Sequence, residues 1–132
     1  MSGLTAQHLI NAMEAIAPPE LAEDWDNTGL ILGDRTCELA GPVLLTIDLT
    51  EPVAEEAIEL GASAIVSYHP PVFEPLRSLT ADNARGRALL AAAARSMVVY
   101  SPHTALDAAR GGMNDWLADG LLGEGTDRKS VV

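Results

Sequence analysis

Three short apolar runs, Val43-Leu44-Leu45-Thr46-Ile47, Ala64-Ile65-Val66 and Met97-Val98-Val99-Tyr100, alternate with two stretches of helical pattern. Parallel strands cannot be joined by a tight turn; they need a crossover, usually a helix, and such crossovers are right-handed. Thr50 and Pro52 predict a helix start, and the helix runs through Leu60 to a terminating Gly61. Asp82 is the expected cap of an alanine-rich helix extending to about Arg95. The run from Val43 carries apolar residues almost without a break, which predicts a strand covered on both faces. The fold expected is therefore α/β: a three-layer-like sheet of mainly parallel strands flanked by helices. Ligands of such sheets bind beyond the carboxyl ends of the strands. That rule brings Asp48, Tyr68 with His69, and His103 with Asp107 to one rim.

The flanking segments fit the same plan. Thr5 predicts the cap of a first helix, with Leu9, Ile10, Met13 and Ile16 as its core stripe and Pro18-Pro19 as its end. A loop then leads to Asp24-Trp25-Asp26-Asn27-Thr28-Gly29-Leu30, and Leu30-Ile31-Leu32 reads as a short strand closed by Gly33-Asp34. The stretch 35–42 reads as surface loop. A last helix is expected from Asn114, through Trp116, Leu117 and Leu121, to Gly123. With 132 residues, 48% of them apolar, a single domain over 1–132 is expected.

Eight basic against nineteen acidic residues give a net charge of -11. Phosphate backbones would be repelled, so direct nucleic-acid binding through a broad surface is excluded as an expectation. A bound cation would reverse the local field, so a phosphorylated small molecule stays compatible. No apolar run approaches a membrane span, and the start Met1-Ser2-Gly3-Leu4-Thr5 shows no secretory signal. Cys37 has no intrachain partner for a disulfide, as in proteins of a reducing compartment, and a cytoplasmic location is expected.

The rim residues narrow the chemistry. In Val66-Ser67-Tyr68-His69-Pro70-Pro71-Val72-Phe73, His69 is held extended by the proline that follows it. Imidazoles from His69 and His103, carboxylates from Asp48 and Asp107 and the Tyr68 phenol suit three uses. They could hold zinc, iron(II) or manganese, carry out acid–base chemistry without a metal, or serve as structural polar groups. Gly-rich phosphate loops, His-Glu-x-x-His, Cys-x-x-Cys and nucleophile-elbow serines are missing from the sequence.

Three motifs in order carry a resemblance: Asp24-Trp25-Asp26-Asn27-Thr28-Gly29-Leu30, Ser67-Tyr68-His69-Pro70-Pro71-Val72-Phe73, and Tyr100-Ser101-Pro102-His103-Thr104-Ala105-Leu106-Asp107-Ala108-Ala109. Together they resemble the GTP cyclohydrolase I type 2 homologues, the Nif-three-like dinuclear metal-centre proteins, over nearly the whole chain. The resemblance implies helices around a mixed sheet, a toroidal homo-hexamer, and up to two divalent metal ions (zinc, iron or manganese) per site. It implies metal ligation by His69 and Asp107, with His103 as the residue for proton transfer or for supporting a ligand. Tyr68, Asp48, Asp26 and Asn27 are candidates for lining the site. The activity implied is metal-dependent hydrolysis of a nucleotide or another phosphorylated small molecule.

Two departures open alternatives. Tyr68 stands where many bacterial members carry a histidine, and a neutral phenol is a poor ligand; the Tyr-His-Pro-Pro form resembles the eukaryotic-type branch. The sequence also ends after Gly123-Glu124-Gly125-Thr126-Asp127-Arg128-Lys129-Ser130, where members join their two halves. The expectation is an N-terminal half lacking the C-terminal His-x-x-x-Glu motif. Such a half would associate with itself or with a separate C-terminal-half chain. A non-catalytic metal-binding, delivery or scaffold protein, or a truncated inactive half, are the competing readings.

Overall fold

Four strands form one mixed sheet in the order β1-β4-β3-β2. The computed structural model describes residues 3–122, so the expected terminator Gly123 and the stretch 123–130 lie outside the described residues. The elements are α1 (Ala6–Ile16), a 3-10 turn (Pro19–Leu21), β1 (Gly29–Leu32), β2 (Val43–Thr46), α2 (Glu51–Glu59), β3 (Ala64–Ser67), α3 (Ala84–Ala94), β4 (Val98–Ser101), α4 (His103–Ala108) and α5 (Met113–Leu122). β2, β3 and β4 run parallel, with Val43 beside Ala64 and Ala64 beside Val98. β1 closes the far edge antiparallel to β4, pairing Gly29 with Ser101. The mainly parallel α/β sheet expected from the three apolar runs is the one observed.

One face carries α2 and α3. Between them and the sheet lies the main core, built from Leu49, Ala57, Ile65, Leu89, Met97 and Val99. The other face is covered by α1, whose Ala6 packs with Ala64 and Val98. Alanines of α2 and α3, Ala54, Ala57, Ala88 and Ala92, stand among the larger residues of the main core, and Ala6 and Ala64 form the contact on the other face, which lets backbones approach closely. Gly33, at φ +108°, shows how close: a Cβ there would lie 3.1 Å from the Val98 Cα, between β1 and β4. Gly86 is tighter still, since a Cβ would fall 1.8 Å from the Thr80 carbonyl oxygen.

Three expectations are corrected. β2 is an edge strand rather than an interior one, and its side chains alternate between exposed and half-buried. Leu45 is 75% exposed and Ile47 65%, because α1 covers β4 and β3 but stops short of the outer face of β2. An apolar run alone does not distinguish a doubly covered strand from an edge whose cover lies elsewhere. On α1, Ile10 is buried but Ile16 is 59% exposed; the packed stripe runs through Ala6 and Ile10 to Ala17. At α3, Asn83 is the cap, its Oδ1 accepting from Gly86 N at 2.8 Å, whereas Asp82 accepts from the Thr80 hydroxyl.

The buried and exposed branched residues of neighbouring strands give a direct check. Ile65→Ala should cost about 2–5 kcal/mol in urea unfolding, as for other buried aliphatic truncations. Leu45→Ala should cost less than about 0.5 kcal/mol. A cost at Leu45 matching that at Ile65 would mean that the outer face of β2 is covered in solution.

Candidate functional site

β3 ends at Ser67, but the next two amides still bond to the neighbouring chain. Tyr68 N donates to the Thr46 carbonyl and His69 N to the Ile47 carbonyl, both at 2.9 Å, so the backbone is pinned as far as the histidine itself. Two serines buried at the strand ends hold this exit from beneath. Ser67 Oγ donates to the His69 carbonyl at 2.8 Å, and Ser101 Oγ donates to the Tyr68 carbonyl at 2.9 Å. Both hydroxyls satisfy carbonyls that the sheet has released, and this fixes where Tyr68 and His69 point.

Three rings and three carboxylates meet above this exit. The His69 ring lies 4.9 Å from that of Tyr68 and 5.5 Å from that of His103, and Tyr68 lies 5.6 Å from His103. Each ring has its own carboxylate. His69 Nδ1 contacts Asp48 Oδ1 at 2.8 Å, His103 Nδ1 contacts Asp26 Oδ1 at 2.7 Å, and the Tyr68 hydroxyl donates to Asp107 Oδ1. The residues expected on the rim are thereby brought together from the ends of β2, β3 and β4. Tyr68 links His69, through ring contact, to Asp107, through its hydroxyl.

The pairs differ in their surroundings. The Asp48–His69 pair is open to solvent, with side chains 62% and 48% exposed. Asp26 is fully enclosed and His103 is 18% exposed. Burial works against the Asp26 charge, but hydrogen bonds from His103, from the Thr104 hydroxyl and backbone, and from Asn27 N outweigh it and hold the carboxyl below its ordinary range. An ionised carboxylate can only accept, so His103 Nδ1 is the donor of this pair and Nε2 is the ring nitrogen turned away from Asp26. His103 also sits at φ 31°, a left-handed conformation unusual for a side chain of this size. The Tyr68 phenol is pushed up to about 12 by burial first, then by its hydrogen bond to Asp107 and the negative fields of Asp107 and Asp26. It is a neutral phenol at physiological pH.

Asn27 lines the rim from outside the rings. Its side-chain amide donates to the Val72 carbonyl and ties the loop before β1 to the loop after β3. Thr104, Ser67 and Ser101 were not singled out from the sequence, although a serine ending an apolar strand next to a histidine is a signal that could have been used. Trp25 and Phe73 were also missed as a pair; their rings meet edge to face at 6.1 Å, each 6.4 Å from His103. The short helix α4, which seats Thr104 and Asp107, has no strong pattern of its own in the sequence.

A resident metal ion needs several donors converging on one point. Among the described residues no group of three or more His, Cys, Asp or Glu side chains is placed to hold one. His69 offers Nε2 and Asp107 a carboxylate partly engaged by Tyr68. Two such donors fall short of the three or four protein ligands that a zinc site ordinarily has. The described residues alone therefore do not fit a complete metal centre.

Asp26→Asn should destabilise the protein by about 1–3 kcal/mol at pH 7, where the ionised carboxylate contributes fully. Because the folded state lowers this pKa, that contribution is lost as pH falls through and below the ordinary carboxylate range near 4. Urea unfolding at pH 7 and pH 3 should therefore give curves for the variant and the native chain that converge at the lower pH.

Comparison with known proteins fits this geometry to a family. The model of the family described as Duf34/NIF3 (NGG1p interacting factor 3) matches residues 4–130. The protein NIF3 homolog of Schizosaccharomyces pombe is 52% identical over 128 residues, covering 94% of this chain and 45% of that relative. A GTP cyclohydrolase 1 type 2 homolog of Halalkalibacterium halodurans is 40% identical over 115 residues, covering 87% of this chain and 31% of the relative. The crystal structure of a Bacillus cereus protein related to NIF3 superposes with a TM-score of 0.86 at 34% identity, covering 96% of this chain and 35% of that one. The chain thus spans less than half the length of these relatives. Among the described residues no helix is long and apolar enough to cross a membrane.

Proposed function

The chain belongs to the Duf34/NIF3 family, and from that premise we propose that it is the histidine-bearing part of a metal-dependent hydrolase acting on a nucleotide or another phosphorylated small molecule. The observation that carries the reading is the meeting of His69 and His103, 5.5 Å apart, each with Nδ1 engaged by its own aspartate. Two imidazoles with one nitrogen occupied in this way present the other to a ligand or a proton.

His69 and Asp107 are the two donors this chain would contribute to a divalent cation, zinc, iron or manganese. The further donors would come from a longer polypeptide, a separate chain or a second copy within a homo-oligomer. A cation site completed there by further donors would supply Lewis acidity. The chain's own residues do the remainder. His103 accepts and returns a proton at Nε2, the buried Asp26 keeps that nitrogen free, and Tyr68 positions Asp107 through its hydroxyl. Cys37 makes no disulfide, which supports a reducing compartment such as the cytoplasm.

One observation favours a second reading. The Tyr68 hydroxyl already takes an oxygen of Asp107 that a cation would use, as suits a non-catalytic binding or delivery protein. Elemental analysis of protein purified without chelators, with a nucleotide and sugar-phosphate turnover panel, separates the two. Bound zinc, iron or manganese reduced at least tenfold in His69→Ala and Asp107→Ala, with turnover lost in both and in His103→Ala, supports the hydrolase. Stoichiometric metal without turnover supports the second reading; no metal at native concentration defeats both.

A further inference from the structure

Two large aromatic side chains stand exposed on the rim and have no part in the chemistry above. Trp25 is 62% exposed and Phe73 44%. They come from separate loops, one before β1 and one after β3, yet both rings approach His103 at the same distance. Scattered exposed apolar residues need no explanation, but aromatic rings from two loops converging beside a histidine are a shaped surface.

That surface adjoins a cleft of about 500 Å³ whose lining includes Phe73, Pro70, Pro71, His69 and Arg85, together with two carboxylates that already have cationic or imidazole partners, Asp48 with His69 and Glu51 with Arg87. Small-ligand pockets occupy roughly 300–1,000 Å³ and combine apolar walls with a few polar groups, as here. Arg85 is the cleft's cation. Its neighbour Arg87 is paired with Glu51 through two hydrogen bonds at 2.9 and 3.0 Å, whereas Arg85 makes no ion pair among the described residues. In a chain of net charge -11, an arginine without a carboxylate partner beside a cleft is suited to an anionic group brought by a ligand.

We propose that Trp25 and Phe73 recognise a planar heteroaromatic ring, stacking it beside His103, while Arg85 takes an anionic group of the same molecule. The inference rests on the reading of a phosphorylated small molecule as ligand and deepens it by assigning ring recognition to named side chains. An aromatic face accepts any flat ring, so the pair selects for a ring over a bare sugar phosphate and leaves the choice of base to other contacts. A cleft of this volume, with Arg85 as its one guanidinium lacking an ion-pair partner among the described residues, favours a ligand of this size over a protein surface.

Trp116 lies on α5, 68% exposed, and has no contact with the rim aromatics, so Trp116→Phe leaves Trp25 as the single tryptophan reporter. Fluorescence of this variant is titrated in EDTA with adenosine and guanosine 5'-monophosphates, the corresponding nucleosides, and ribose 5-phosphate. Saturable quenching by the monophosphates and not by ribose 5-phosphate is expected. Phe73→Leu should weaken it about tenfold, as for loss of one stacking ring. Arg85→Gln should remove the advantage of monophosphate over nucleoside. Quenching that is absent, equal with ribose 5-phosphate, or unchanged in Phe73→Leu overturns the proposal. So does burial of Trp25 by self-association, seen as a concentration-dependent emission shift that tracks sedimentation. Because no metal is present, binding is read here without turnover; failure of the metal-loaded turnover panel would defeat the hydrolase and leave this inference standing.

Discussion

Backbone hydrogen bonds carried past the end of a strand are the constraint on which the site depends. β2 and β3 pair in register up to Thr46 and Ser67, and beyond that register Tyr68 N and His69 N still donate to the Thr46 and Ile47 carbonyls. A side chain on such a segment inherits the rigidity of the sheet rather than the mobility of a loop. The two prolines after His69 then forbid the ladder to go further, since neither has an N–H to donate. The imidazole is left at a defined height above the sheet. The buried hydroxyls of Ser67 and Ser101 complete the arrangement by accounting for the carbonyls that the ladder no longer uses.

Above the ladder, the division of labour among carboxylates follows from burial. Asp48 and Asp26 make the same kind of contact to an imidazole Nδ1, yet one is mostly exposed and the other enclosed. An enclosed charge must be met by donors, and Asp26 has four. The network makes the loop before β1, the start of α4 and His103 one unit, with Asn27 extending it to Val72. Asp107 is met by a phenol instead. Its geometry is fixed, and one of its oxygens is partly occupied.

The sheet is asymmetric in its cover. Helices α2 and α3 shield one face, whereas α1 leaves the outer side of β2 open, with Leu45 and Ile47 facing water. Edge strands with exposed apolar residues are sites where further chain or a further subunit can be accommodated. At the rim the described residues bring no group of three or more side chains placed to hold a metal ion.

Much of this was legible in the residues. Alternating apolar runs and helical stretches dictate crossovers and hence a parallel sheet, and a parallel sheet dictates that Asp48, His69 and His103 share a rim, because all three strands point the same way. Caps and terminators such as Thr50, Pro52 and Gly61 act locally and read locally. Other features required the folded chain. Which carboxylate serves which ring depends on contacts across as many as 77 residues of sequence, as between Asp26 and His103. Whether β2 is interior or edge depends on strand order, and no single run of residues encodes that. The meeting of Trp25 with Phe73 is of the same kind, two loops set side by side only by the sheet beneath them. Local pattern determined the elements and their direction, because propensity and capping act over a few residues; the tertiary structure decided pairing, burial and charge, because those depend on neighbours distant in the chain.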